Sequence, residues 1–209
     1  MIEFLQKGGP VMVPLLLCSI VSLAIILERS VFWFRVMVRR NARMLSIVLR
    51  QVEKGRLPDA VKTCRHTDDA IAKILLEGIK NYEYNFVSAL EAAANNEVNT
   101  MKRYMVILDT IITLSPLLGI FGTVTGIIIS FGILGKGGLV DPSGVTGGIA
   151  QALITTASGL IIAIFTLIPF NYFNSQIEAS AMEIEKYVNA LEIAQWKYKH
   201  GKEVLSDGE

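Results

Sequence analysis

Three stretches of this chain are apolar at nearly every position, with no single polar face. The first reads PVMVPLLLCSIVSLAIIL, from Pro10 to Leu27. The second runs from Thr110 to Leu134 with no charge between Asp109 and Lys136, and the third lies within Pro142 to Ile177, again uncharged. At 1.5 Å per residue, each reaches or exceeds the ~20 residues needed to cross a bilayer. The pattern predicts an all-α polytopic membrane protein with three transmembrane helices over 10–29, 106–134 and 146–174. The remainder divides into an outer tail (1–9), a helical region (30–105), a short outer loop (135–145) and a C-terminal helix and tail (175–209). The first span is expected to be retained and not cleaved as a secretory signal: Glu3 stands in its n-region, and LERSVFWFR follows where a small-residue cleavage site would be.

Between and beyond the spans the apolar residues become periodic. GRLPDAVKTCRHTDDAIAKILLEGI gives short helical pieces interrupted by Pro58 and the Thr67–Asp68 turn region. After Asn85, a candidate N-cap, apolar residues fall at Leu90, Ala94, Met101, Met105 and Leu108, close to helical spacing. No breaker precedes the second span, so one uninterrupted helix is expected from that segment into the membrane. Past the third span, Ile177, Ala181, Ile184, Val188 and Leu191 form an apolar seam on a helix that also carries Glu178, Glu183, Glu185 and Glu192. Spans 2 and 3 therefore extend as long helices into the cytoplasm. Their seams close on this chain, pack against neighbouring copies, or do both.

Charge sets the orientation. Arg29, Arg35, Arg39, Arg40 and Arg43 follow the first span, and Lys102 and Arg103 precede the second. The N-terminal tail has only Lys7, and the loop after span 2 only Lys136. The positive-inside rule puts the N-terminus outside and the 30–105 region and C-terminus in the cytoplasm. In a double-membrane bacterium this means the inner membrane, with the N-terminus periplasmic. A net charge of +1 gives no reason to expect a nucleic-acid partner. Cys18, Cys64, His66 and His200 are too scattered for a disulfide or zinc site. GKGG lacks the spacing of a phosphate loop. No catalytic, metal or cofactor constellation is present, so no enzyme is expected.

The second and third spans share one unusual feature. Small residues let membrane helices approach closely. GIFGTVTGIIISF places Gly119, Gly122 and Gly126 near one side with Thr123, Thr125 and Ser130, and span 3 answers with Gly148, Gln151, Ala152, Thr155, Thr156, Gly159 and Ala163. The bland reading of a membrane threonine is a bond to its own helix carbonyl or weak interhelical glue, ~1 kcal/mol or less. Gln151 needs a partner in hydrocarbon and so belongs inside the bundle. No ionisable residue lies mid-span, so ions crossing here would need a carboxylate from a partner. Pro116 and Pro169 each free a carbonyl and can kink their helices.

The chain resembles the ExbB/TolQ/MotA family of bacterial inner-membrane motor subunits, above all its ExbB and TolQ branch. GGPVMVPLLLCSIVSLAIILERS is similar to the family's first span, and GRLPDAVKTCRH to its cytoplasmic helical segment. SPLLGIFGTVTGIIISF and GGIAQALITTASGLIIAI resemble its two signatures, in the expected order. The resemblance implies a pentameric homo-oligomer in the membrane lipid whose second and third spans surround the single spans of an ExbD- or TolR-like partner. That partner carries a membrane aspartate, and proton flow past it drives motion that does work at the outer membrane through a TonB-like or other periplasm-spanning protein. Thr123 and Thr156 match the family's pore-lining threonines; Gln151 and Thr155 complete the expected ion path. Gln151 stands where the family commonly has glutamate, so an essential acid is ruled out there. AIF replaces AIP in span 3, with Pro169 one helical turn later. The rival reading is a non-conducting scaffold whose Thr and Gly faces serve only packing. A solute transporter is weaker, lacking inverted repeats and mid-membrane charge.

Overall fold

The computed structural model describes residues 8–82, 85–134 and 142–206, and among them every regular element is a helix. In chain order these are α1 (Met12–Arg39), α2 (Ala42–Glu53), α3 (Leu57–Arg65), α4 (Ala70–Lys80), α5 (Phe86–Met101), α6 (Met105–Leu134) and α7 (Pro142–Ser206). Three stretches, Met12–Arg39, Phe86–Gly132 and Gly144–Lys199, contain helix long and apolar enough to cross a membrane. Only 22–28% of their most apolar windows is buried inside the chain, so these helices turn most of their apolar surface outward, as lipid-facing helices do. The protein is a multi-pass all-α membrane protein. Glu3, Lys7, Lys136 and most of the 135–145 loop lie outside the described residues.

The chain divides into two compact units. The first takes Met1–Arg29 and Tyr104–Phe173, and holds the apolar part of α1, all of α6 and the first part of α7. Val11, Met12 and Leu15 form a small core there, against which Leu118 of α6 and Ile162 of α7 pack. Pro116 and Pro169 both sit within their helices without breaking them.

The second unit takes Ser30–Arg103 and Asn174–Glu209. Here α2, α3, α4 and α5 pack in succession around Leu45, Val48, Val52, Ala60, Cys64, Leu75 and Leu90, all essentially sealed from solvent. Two helix starts are tied by one carboxylate: Asp69 Oδ1 accepts from the Ile71 amide at 2.8 Å as an N-cap, while Oδ2 accepts from the Asn41 amide at 3.1 Å. The seam of α7 packs inward, with Ile177, Ile184, Val188 and Leu191 buried. Arg40 pairs with Glu183, Lys197 with Glu53 at 2.9 Å, and Gln195 donates to the Tyr82 carbonyl at 3.2 Å.

Three local expectations change. Pro58 does not interrupt a helix but begins α3, in the first turn where its missing N–H costs nothing. Asn85 occupies the N-cap position of α5 without a side-chain capping bond. The helix expected to run unbroken into the second span is interrupted at Lys102–Tyr104, where Tyr104 adopts φ 66°. Left-handed backbone is costly for a residue with a Cβ, so the pattern of side chains gave no warning of it. The compensation is tertiary. The Tyr104 ring lies 5.7 Å from the guanidinium of Arg29, which is 2% exposed and forks onto Glu28 at 2.5 and 2.7 Å.

Candidate functional site

The small residues of α6 and α7 meet each other. A Cβ added at Gly119 would stand 3.0 Å from the Thr156 Cα and 3.2 Å from the Thr155 carbonyl oxygen. One at Gly126 would stand 2.8 Å from the Gly148 carbonyl oxygen and 2.9 Å from the Ala152 Cβ. A Cβ added at Gly122 would stand 2.5–3.1 Å from the Thr155 side chain, and one at Gly159 would meet the Ser115 carbonyl. At Gly119, Gly126 and Gly159 the nearest neighbour is backbone, which cannot rotate aside, so an added side chain would push the helices apart. Hydrogen bonds cross this seam: the Thr156 hydroxyl donates to the Gly119 carbonyl at 2.8 Å, and the Ser130 hydroxyl donates to the Val145 carbonyl at 3.2 Å. Ser115, sealed at 0% exposure with no partner for its hydroxyl, lies in the same seam.

Helical phase sorts the expected site residues around this seam. At 3.6 residues per turn, successive side chains are rotated by about 100°. Leu118 and Ile162 mark the directions from α6 and α7 toward α1. Thr123 then lies roughly 140° around α6 from Leu118, and Thr156 roughly 120° around α7 from Ile162. Both are half-buried on the flank away from α1. Gln151 and Thr155 instead fall within about 20° of the Ile162 direction. The Gln151 carboxamide is pressed against Gly9, whose φ of +69° favours glycine, just before α1. Thr155 is 0% exposed, its hydroxyl 2.9 Å from the carbonyls of both Gln151 and Ala152. The structure thus brings Thr123 and Thr156 to one flank and seats Gln151 and Thr155 elsewhere.

Most of the hydroxyls serve their own helices. Thr123 donates to the Ile120 carbonyl at 2.6 Å, Thr125 to Gly122 at 3.0 Å and Thr166 to Ile162 at 2.7 Å. Thr156 and Ser130 are exceptions, each reaching across to the other helix. No group of three or more metal-ligating side chains occurs among the described residues. Cys64 is buried, and burial, with Asp69 nearby, pushes its thiol up to about 11, which leaves it a poor nucleophile. Sequence reasoning missed Ser115 and Gly9. The GGP at 8–10 was a turn signal, but its partner Gln151 lies 142 positions later and no local pattern joins them.

Residues 66–186, which include this whole seam, match the model of the MotA/TolQ/ExbB proton channel family. The chain belongs to that family. Among ExbB-type relatives, it is 39% identical over 176 residues to a Synechocystis putative biopolymer transport protein, ExbB-like 3, covering 81% of this chain and 83% of the relative. It is 27% identical over 209 residues to the biopolymer transport protein ExbB of Neisseria meningitidis, covering 90% and 93%. The Tol-Pal system protein TolQ of Haemophilus influenzae is 32% identical over 101 residues, covering 48% and 44%. ExbB/TolQ family membership accounts for the membrane spans, and that family is a transport-energising membrane channel, not a known class of enzyme. It also makes the chain an energising channel subunit in general terms.

Proposed function

We propose that this protein is the oligomeric channel subunit of an inner-membrane, ion-driven motor. Its copies, five by family resemblance, surround the transmembrane helices of an ExbD- or TolR-like partner and couple the proton-motive force to work at the outer membrane. In this reading residues 1–9 and 135–145 are periplasmic, while 30–105 and 175–209 are cytoplasmic. The observation that supports it is the common flank of Thr123 and Thr156. Both hydroxyl-bearing side chains stand half-exposed on the side away from α1, beside a seam too tight to admit anything between α6 and α7. A partner helix carrying a carboxyl group would meet that flank.

The test is Thr123→Val and Thr156→Val in the intact complex, read as ion-dependent work in cells and as oligomer size in mild detergent. Each valine is expected to impair the work while the oligomer persists. Full work in both variants would favour the scaffold reading. That reading has its own support, since each of these hydroxyls is already bonded to a backbone carbonyl.

A further inference from the structure

Within the second unit, α4, α5, α7 and the end of α1 enclose a cavity of about 330 Å³. Ile71, Met101 and Ile184, all buried, give it an apolar floor, and its rim is charged. Most of the rim charges are already satisfied. Arg39 pairs with Asp68 at 3.1 Å and Arg40 with Glu183, while Asp69 accepts from the Ile71 and Asn41 amides. Arg35, Lys73 and Glu97 are left over, and among the described residues none of them makes a hydrogen bond or ion pair. Lys73 and Glu97 also line the neighbouring groove of α4 and α5 together, still without pairing. Two cations and a carboxylate held apart over an apolar floor are satisfied by a ligand that carries both signs of charge and an apolar end.

The depth of the cavity says where such a ligand comes from. Helix α1 crosses the membrane, and it lines the cavity with Phe32, Arg35, Val36 and Arg39. Phe34 and Val38 stand about 160° around the helix from Val36, and both are exposed. Apolar surface of the kind lipid covers therefore continues on α1 past the level of Arg35. From Phe34 to Arg39 the helix rises about 7.5 Å, close to the thickness of one headgroup layer, about 5–7 Å.

We propose that this cavity holds the headgroup of an amine-bearing membrane phospholipid, with the phosphodiester at Arg35 and Lys73 and the ammonium at Glu97. The Arg35 guanidinium offers the phosphate oxygens a planar fork of donors, and Lys73 adds a point charge. The ammonium bridges the gap between Lys73 and Glu97, and the glycerol end rests on the apolar floor. A headgroup with a phosphate and no amine leaves Glu97 unsatisfied beside a second negative charge, so it binds less well. The site lies apart from the Thr123 flank and does not depend on the motor reading.

Lipid titration of the full chain in a mild nonionic detergent tests this, with bound lipid counted by native mass spectrometry. Phosphatidylethanolamine and phosphatidylglycerol of identical acyl chains are the two probes. Phosphatidylethanolamine is expected to bind saturably and several-fold more tightly than phosphatidylglycerol. Arg35→Gln combined with Lys73→Gln is expected to weaken its binding at least about tenfold. Arg43→Gln, which removes an exposed cation outside the cavity, is expected to leave it unchanged. Glu97→Gln is expected to abolish the preference between the two lipids, and circular dichroism checks that every variant stays folded. Equal binding of both lipids by the unaltered chain would overturn the site, as would undiminished binding in the double variant or an equal loss in Arg43→Gln. Displacement of the lipid by an equal concentration of soluble phosphoethanolamine would also overturn it, since the cavity would then serve a soluble ligand.

Discussion

Replacing Gly119 by alanine puts one methyl group into the α6–α7 seam at a point where its nearest neighbours are all backbone. Its Cβ would lie 3.0 Å from the Thr156 Cα, with the carbonyl oxygens of Thr155 and Thr156 at 3.2 and 3.3 Å. Carbon atoms prefer about 3.5–4.0 Å, so the helices must separate by roughly half an ångström or more. All three neighbours are backbone, and no rotamer change relieves them. Separation stretches the 2.8 Å bond from Thr156 to Gly119, worth about 0.6 kcal/mol in a membrane interior, and forfeits part of the dispersion along the seam. With overpacking at about 1–3 kcal/mol, the net loss is about 2 kcal/mol after the helix-propensity gain of alanine over glycine. In a chain of this length that is a fall of roughly 4–8 °C in thermal midpoint. Gly132→Ala is the control, because a Cβ there meets nothing within 4 Å. It gains propensity without a clash and is expected to be neutral or up to about 1 kcal/mol more stable. The assay is thermal unfolding of both variants in mild detergent, followed by circular dichroism or calorimetry. If Gly119→Ala melts with or above Gly132→Ala, the seam is not close-packed and the reasoning fails.

Gln151→Leu removes the carboxamide that lies against Gly9. It is expected to lower the melting temperature by a few degrees, corresponding to about 1 kcal/mol, without dissolving the oligomer. An unchanged melt would show that the amide has no structural partner. Cys64 predicts an alkaline weakness: because its thiol is pushed from near 9 to about 11 by burial and by Asp69, the folded state holds this proton more tightly than the unfolded chain. That stability is complete below about pH 9 and is lost as pH rises toward 11. Urea melts of the full chain, followed by emission from Trp33 and Trp196, are expected to fall less steeply over that interval in Cys64→Ala. Parallel slopes would remove the thiol from the explanation.

The spans, the α7 seam and the small-residue stripes were legible because each is written in residue type and spacing alone. Runs without charge define the spans, and Ile177, Ile184, Val188 and Leu191 repeat at helical intervals. The glycines announce a close approach but not what approaches, so the stripe on α6 led to a pore lining with helix packing as its rival. Much of it is contact: Gly119, Gly122 and Gly126 are covered by α7. What separates Thr123 and Thr156 from Gln151 and Thr155 is the direction of α1, which enters only through the contacts of Leu118 and Ile162. The interruption at Tyr104 was hidden for a related reason. Helix breaks are expected at glycine or proline, and this one is held by a tyrosine against a buried arginine from distant sequence.

That interruption also bears on how chain length can vary within such proteins. One residue added to a continuous helix turns everything beyond it by about 100°. The irregular turn at Lys102–Tyr104 gives α6 its own phase, so an insertion in α5 need not rotate Asp109 or Thr123. Helix α7 has no such joint over its 65 residues, Pro142–Ser206. A single insertion between Thr156 and Ile162 would swing Thr156 about 100° out of register with the side chain that packs toward α1. Length is therefore free to drift on one side of the pair and fixed on the other.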